Sequence, residues 1–315
     1  MTESSRVGVG SRLEFGLYRF VSRGLALLPE RWAHLVAGGL GWFAGSVLRV
    51  RRSVVDENLA RAFPAESPDW RARVARGSYV HLARESVALL RERAVGAGAV
   101  LERVQFQGLE MLIQAMSQGK GAILVTGHLG NWELAGSAVA MAGVPLDAVA
   151  MRQKNPLFHE EMTRSRGELG LRVILKSDAT RPILRALKEG RAVALLADQN
   201  VWAGALWVEF FGTPSATTRG PALLARRTGA PLFLALGIRT AAWPPAYTVT
   251  FQPLPVESTD DLEADLHTTT RSYLQALEDW VRRYPQQYFW HHRRWKRTAP
   301  KDGGSGTAPP GQGTM

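Results

Sequence analysis

A histidine and a carboxylate five positions apart stand in the hexapeptide His128-Leu129-Gly130-Asn131-Trp132-Glu133, directly after an apolar run over residues 122–127. Histidine accepts a proton near neutral pH, and a carboxylate can hold its ring in one tautomer and stabilise the imidazolium. His128 and Glu133 are therefore a candidate general-base pair. Along one continuous helix, five residues would set the two side chains about 140° apart. They meet only if His128 lies in a strand-to-helix turn and Glu133 in the first helical turn, with Gly127 and Gly130 giving that turn its freedom. Asn131 then suits the helix N-cap, and the positive helix end favours an anion or a developing oxyanion. The plainer alternative makes Glu133 an ordinary first-turn carboxylate.

Other residues could keep this pair company. Arg152, Arg164 and Arg166 fall between expected strands, and each reads either as a solvated helix residue or as a bidentate holder of phosphate. Asp198-Gln199 closes another apolar run, where an aspartate serves either as a turn cap or as the orienting carboxylate of an α/β enzyme. Residues 288–296 interleave aromatic and basic side chains, a pattern shared by nucleic-acid stacking surfaces, membrane-interface belts and plain packing. The neighbouring His291 and His292 lack a metal-ligand spacing partner, so no metal site is expected.

The elements that must position these residues alternate along the chain. Strands are expected at 104–106, 122–126, 146–151, 172–175, 192–197, 231–238 and 247–251. Helices are expected at 50–63, 68–95, 109–118, 133–142, 156–169, 179–187, 219–228 and 262–283. The fold class is therefore α/β: a single domain with a mostly parallel central sheet flanked by helices, plus N-terminal membrane-associated helices. Both His128 and Asp198 fall at carboxyl ends of strands, where such folds gather their chemistry. Residues 299–315 are rich in Gly, Pro and Ser and are expected to be a disordered tail.

The first 50 residues form a segment of their own. Residues 13–28 are apolar but carry Glu14, Arg19 and Arg23, whereas residues 34–48 hold no acid, Lys or Arg and are closed by Arg49, Arg51 and Arg52. Fifteen residues make a helix of about 22 Å, against a hydrocarbon core of about 30 Å. An interfacial helix flanked by arginines fits this length, and so does a buried core helix.

Composition narrows the chemistry. The formal net charge of +11 over 315 residues calls for an anionic partner: nucleic acid, acidic lipid or a phosphorylated substrate. The absence of cysteine excludes disulfides, thiolate metal sites and a Cys nucleophile. There is no G-x-S-x-G elbow, Walker A sequence, G-x-G-x-x-G after a strand or H-E-x-x-H. Acyl chemistry on such a chain is expected to be direct transfer without an acyl-enzyme.

Six blocks in order carry a resemblance. They are Arg51-Arg52 through Asn58-Leu59 to Ala62-Phe63-Pro64; Gly127 through His128 to Glu133; Arg152 with Asn155-Pro156; Asp198-Gln199; Phe210-Phe211-Gly212 with Ala216-Thr217; and Pro285 to Trp290 with His292-Arg293-Arg294-Trp295-Lys296. Together, over roughly residues 13–297, they resemble the bacterial lipid A biosynthesis (lauroyl/myristoyl) acyltransferases of the lysophospholipid acyltransferase superfamily. The resemblance implies an O-acyltransferase domain at 51–298. His128 would deprotonate an acceptor hydroxyl, Glu133 would orient and charge it, and the hydroxyl would attack an acyl-carrier-protein or acyl-CoA thioester. Arg152, Arg166, Asp198, Gln199 and Asn131 would bind substrate or assemble the site. Tyr288 stands where the family usually has tryptophan.

The resemblance further implies no cofactor, and a place on the cytoplasmic face of the bacterial inner membrane. The acceptor stays open between a lipid A precursor or related glycolipid, a lysophospholipid and a phosphatidylinositol mannoside. Nucleic acid is not an expected partner, although a basic nucleic-acid-binding protein using residues 288–296 remains the alternative from another class.

Overall fold

The structure, a computed structural model, describes residues 7–95 and 101–297. The expected tail at 299–315 lies outside the described residues.

Four helices come first: α1 (Val9–Leu27), α2 (Glu30–Ser46), α3 (Arg52–Ala62) and α4 (Pro68–Val95). Then follow β1 (Val104–Gln107), α5 (Leu109–Met116), β2 (Ala122–Thr126), α6 (Trp132–Met141), β3 (Leu146–Ala150), α7 (Pro156–Glu168), β4 (Arg172–Leu175), α8 (Thr180–Lys188) and β5 (Ala192–Leu196). The chain continues through β6 (Ala205–Phe210), β7 (Thr213–Thr218), α9 (Gly220–Thr228), β8 (Leu232–Ala241), β9 (Ala246–Leu254) and α10 (Leu262–Arg283).

Seven strands form one sheet in the order β1-β9-β8-β2-β5-β3-β4. β8 and β9 pair antiparallel, and the other described neighbours pair parallel. The apolar run of β2 is buried on both faces, as a strand covered by helices on each side requires. Ile123 and Val125 face a core shared with Leu274 and Leu277 of α10 and Ile183 of α8. Leu124 faces the opposite core, with Leu112 of α5 and Val139 of α6. The α/β fold with a mostly parallel sheet between helical layers thus stands as expected.

Residues 205–218, where no element is expected from the sequence, form the separate β6–β7 hairpin. Its two-residue turn, Phe211 and Gly212, has φ of 53° and 65°. Two positive φ values in succession give the twist that joins adjacent antiparallel strands.

The N-terminal segment does form helices. Among the described residues no helix is long and apolar enough to cross a membrane. α2 turns its small residues inward: Ala33, Ala37, Gly38, Gly41 and Gly45 are buried. A Cβ on Gly41 would overlap the Tyr79 backbone of α4, and one on Gly45 would overlap the Tyr79 ring. The large residues Trp32, Leu35, Leu40, Trp42 and Phe43 are exposed instead, and no residue of α1 is buried.

Candidate active site

β2 and β5 are neighbours, with Thr126 opposite Leu196. Two residues beyond each partner stand His128 and Asp198, so equal register on adjacent parallel strands brings them side by side. The His128 Nδ1 lies 2.7 Å from Asp198 Oδ1, and the His128 backbone N–H donates to Asp198 Oδ2 at 2.8 Å. Because a carboxylate only accepts, Nδ1 carries the proton and Nε2 is left as the acceptor. The Gln199 amide nitrogen lies 3.1 Å from Nε2 and donates to it.

Burial alone would lower the His128 pKa, but the Asp198 charge, its hydrogen bond and then the Glu133 charge outweigh burial and raise it. Asp198 is 2% exposed. Burial pushes its pKa up, yet the His128 charge and hydrogen bonds, with the buried cation Arg294, bring it below the ordinary value. A histidine made more basic by a carboxylate that stays ionised is what general-base chemistry requires.

Glu133 is in the first turn of α6, and Asn131 is its N-cap, accepting from the Leu134 N–H at 2.9 Å. The expected contact between Glu133 and His128 is corrected: the Glu133 carboxylate accepts from Arg166 of α7, with Nε at 3.0 Å and Nη2 at 2.5 Å. A planar guanidinium fits both carboxylate oxygens, which the imidazole cannot do. Glu133 therefore contributes charge to His128, while its orientation comes from Asp198.

Asn131 borders the cleft beside Glu133 and is itself held by the fold. It is 4% exposed, its oxygen caps α6, and its Nδ2 donates to Glu85 Oε2 of α4 at 2.8 Å. Arg152 is exposed and has no hydrogen-bond or ion-pair partner among the described residues. Arg164 is exposed and pairs with Glu161 and Glu168 on its own helix, as a solvated helix residue does.

The turn itself is tightly fitted. Gly130 has φ of 67°, and a Cβ there would overlap the Gly237 carbonyl of β8. Its N–H donates to the Gln287 carbonyl at 3.0 Å, and the Phe289 N–H donates to the His128 carbonyl at 2.9 Å. The chain after α10 thus forms a wall of the site.

That wall is pinned from both sides. Asn58 of α3 donates to the carbonyls of Trp290 and His292 at 2.8 and 2.7 Å. The buried Arg294 donates to the Ala216 carbonyl and to the hydroxyls of Ser215 and Thr217, on β7. Asn58, Asp198, Gln199, Tyr288 and His292 surround the imidazole in one small cleft. A second, apolar cleft of about 80 Å³ lies between α4, the start of α6 and residues 287–291, and reaches Glu133.

Comparison with known proteins decides the family. Residues 6–297 match the model of the bacterial lipid A biosynthesis acyltransferases. The chain belongs to this family. It is similar to the phosphatidylinositol mannoside acyltransferase of Mycolicibacterium smegmatis, at 31% identity over 74% of this chain and 77% of the relative. It is also similar to the lipid A biosynthesis myristoyltransferase of Escherichia coli K12, at 27% identity over 85% of this chain and 82% of the relative. The palmitoleoyltransferase of lipid A biosynthesis from the same organism is 27% identical over 82% of each chain. As a member of this family the chain is an acyltransferase.

Within this family frame the aromatic and basic segment at 288–296 acquires a definite place. Tyr288, Trp290, His291, Arg294 and Trp295 are buried, so those aromatic rings have no face free to stack on bases. Among the described residues no group of three or more His, Asp or Glu side chains is arranged to hold a metal ion. Glu85, Arg239 and Tyr247 carry no signal in the sequence: they are charged and aromatic residues of a helix and two strands, and only burial next to Asn131 gives them weight.

Proposed function

We propose that this acyltransferase moves a fatty acyl group from an acyl-carrier-protein or acyl-CoA thioester to a hydroxyl of a membrane glycolipid. The acceptor is of the lipid A precursor or phosphatidylinositol mannoside class. The observation that carries the reading is the Asp198–His128–Gln199 series, which leaves one basic nitrogen, Nε2, at the cleft.

An acceptor hydroxyl replaces the Gln199 amide at Nε2. His128 takes its proton while the oxygen attacks the thioester carbon. The tetrahedral intermediate collapses by breaking the carbon–sulfur bond, and the departing thiolate takes the proton from the imidazolium. Asp198 holds the ring and balances its charge throughout, and Glu133 adds negative charge nearby. The apolar cleft beside Glu133, walled by Leu82, Leu89, Trp132 and Phe289, suits the acyl chain. Arg152, exposed and without a partner among the described residues, is free to meet an anionic headgroup.

The exposed apolar faces of α1 and α2, rimmed by Arg12, Arg19, Arg23, Arg31, Arg49 and Arg51, support a chain lying in the surface of an anionic bilayer. The cytoplasmic face of the bacterial inner membrane is the setting that fits. The deciding experiment follows labelled acyl chain from donor to lipid acceptors with wild-type protein and His128→Ala. Loss of transfer in the variant is expected, and turnover within twofold of wild type overturns the mechanism.

A further inference from the structure

Behind the His128 turn lies a closed ring of hydrogen bonds. Glu85 Oε2 accepts from Asn131 at 2.8 Å. The next residue back along the turn, Gly130, donates its N–H to the Gln287 carbonyl at 3.0 Å. The Gln287 side chain grips the Arg239 backbone from both sides, accepting its N–H at 3.0 Å and donating to its carbonyl at 2.8 Å. The Arg239 guanidinium closes the ring on Glu85 Oε1 at 2.7 Å. Glu85 and Arg239 side chains are 7% and 8% exposed, so solvent does not loosen the circuit.

Further contacts leave Glu85 little freedom to move. Tyr247 donates its hydroxyl to Glu85 Oε2 at 2.8 Å. His81, one turn earlier on α4, places Nε2 3.3 Å from the Gly130 carbonyl and Nδ1 3.7 Å from Glu85. Arg239 also reaches His34 of α2 at 3.3 Å.

We infer that Glu85 is a positioning residue for the acyl-transfer site: through Asn131 it fixes the turn that carries His128 and the first turn of α6 that carries Glu133. Packing alone does not need this carboxylate. An apolar side chain would fill the space, but it would leave the Asn131 amide unheld and Arg239 buried without its partner. With the carboxylate in place, Asn131 has one orientation, oxygen to Leu134 and nitrogen to Glu85. The direction of α6 from the turn follows from that. The inference rests on the acyl-transfer reading above and adds a residue that borders the apolar cleft and acts on His128 only through Asn131.

The test exchanges the two partners. Glu85→Gln leaves one oxygen for two donors, so its new amide nitrogen must face either Asn131 or Arg239, and Asn131→Asp sets two carboxylates together; the double variant E85Q/N131D turns the new amide nitrogen to the new carboxylate and its oxygen to Arg239. Each single variant is expected to lose tenfold or more in kcat with KM within about twofold, and the double to recover to within about threefold of wild type.

A double variant whose loss equals the product of the singles overturns the inference. Should the single variants not fold, the folded double decides by its kcat. The His128 pKa, read by NMR titration, provides a second readout independent of any acceptor. It is expected to shift in the single variants and return in the double, and an unmoved value overturns the inference. Wild-type protein that transfers no acyl chain would instead defeat the acyl-transfer reading and leave this titration standing.

Discussion

Asp198, seventy residues from His128 in sequence, and not Glu133, five residues away, binds Nδ1 of His128, at 2.7 Å across the gap between β2 and β5. The two carboxylates therefore divide the work. Asp198→Asn keeps the shape but loses the charge and reverses the preferred tautomer. It is expected to lower kcat by about 10²–10⁴, the range of general-base contributions. Glu133→Gln, which removes only a more distant charge and one partner of Arg166, is expected to cost less. Parallel kcat measurements on the two variants check the ranking.

The rate should depend on pH in a definite sense. A general base works unprotonated, so kcat/KM is expected to rise with pH through a midpoint above the ordinary histidine value of 6.5, as the raised His128 pKa requires. Asp198→Asn is expected to move that midpoint down. A pH–rate profile of each protein checks this.

Stability carries an acid-side signature. Burial lowers His291 to about 4, helped by Arg51, and burial lowers His34 to about 4, with Arg84 and Arg239 assisting. Groups depressed in the fold take up protons more readily when unfolded, so their effect is to lose stability as pH falls from 6.5 toward 4. His128 has the opposite sign: its contribution is complete below 6.5 and is lost as pH rises through its raised folded value. The melting temperature is expected to drop between pH 6.5 and 4, and His291→Phe is expected to flatten that drop in thermal scans.

Arg166 and Glu133 form a two-pronged pair between α7 and α6, with side chains 16% and 23% exposed. Lysine offers a point charge in place of the fork, so Arg166→Lys is not conservative here. A double-mutant cycle with Arg166→Ala and Glu133→Gln, read in kcat/KM, is expected to give a coupling of about 0.5–3 kcal/mol. Additive losses would mean that the two side chains act separately.

Gly130→Ala is expected to destabilise the fold by about 2–4 kcal/mol, from left-handed backbone plus overlap with the Gly237 carbonyl. Urea unfolding measures it. Gly143→Ala, equally left-handed but with open space around the new Cβ, is expected to lose less.

Much of the site was legible before the fold. The apolar runs put His128 and Asp198 at strand ends, and Asn131 was readable as an N-cap. What the sequence could not give was strand order. Glu133 is five residues from His128 and Asp198 is seventy, so local spacing favours the wrong partner until β5 is known to lie beside β2. Arg166 was in view, yet its partner depends on how α7 packs against α6. Glu85 was invisible for a different reason. A carboxylate in the middle of a long helix reads as solvated, and only tertiary burial distinguishes it from its neighbours. In the β6–β7 hairpin β6 alternates buried and open residues but β7 does not and begins with Thr-Pro, and the turn uses Phe-Gly where Asn-Gly would have announced it.

Asn58 stands in the first fifth of the chain and holds the carbonyls of Trp290 and His292, more than 230 residues later. A chain still emerging from the ribosome can hold β2 and β5, and with them His128 and Asp198, while the wall that carries Phe289 has not yet been synthesised. The cleft around His128 therefore closes only after residues 285–292 have joined it, and a product cut short before residue 285 would carry His128 and Asp198 without a finished site around them.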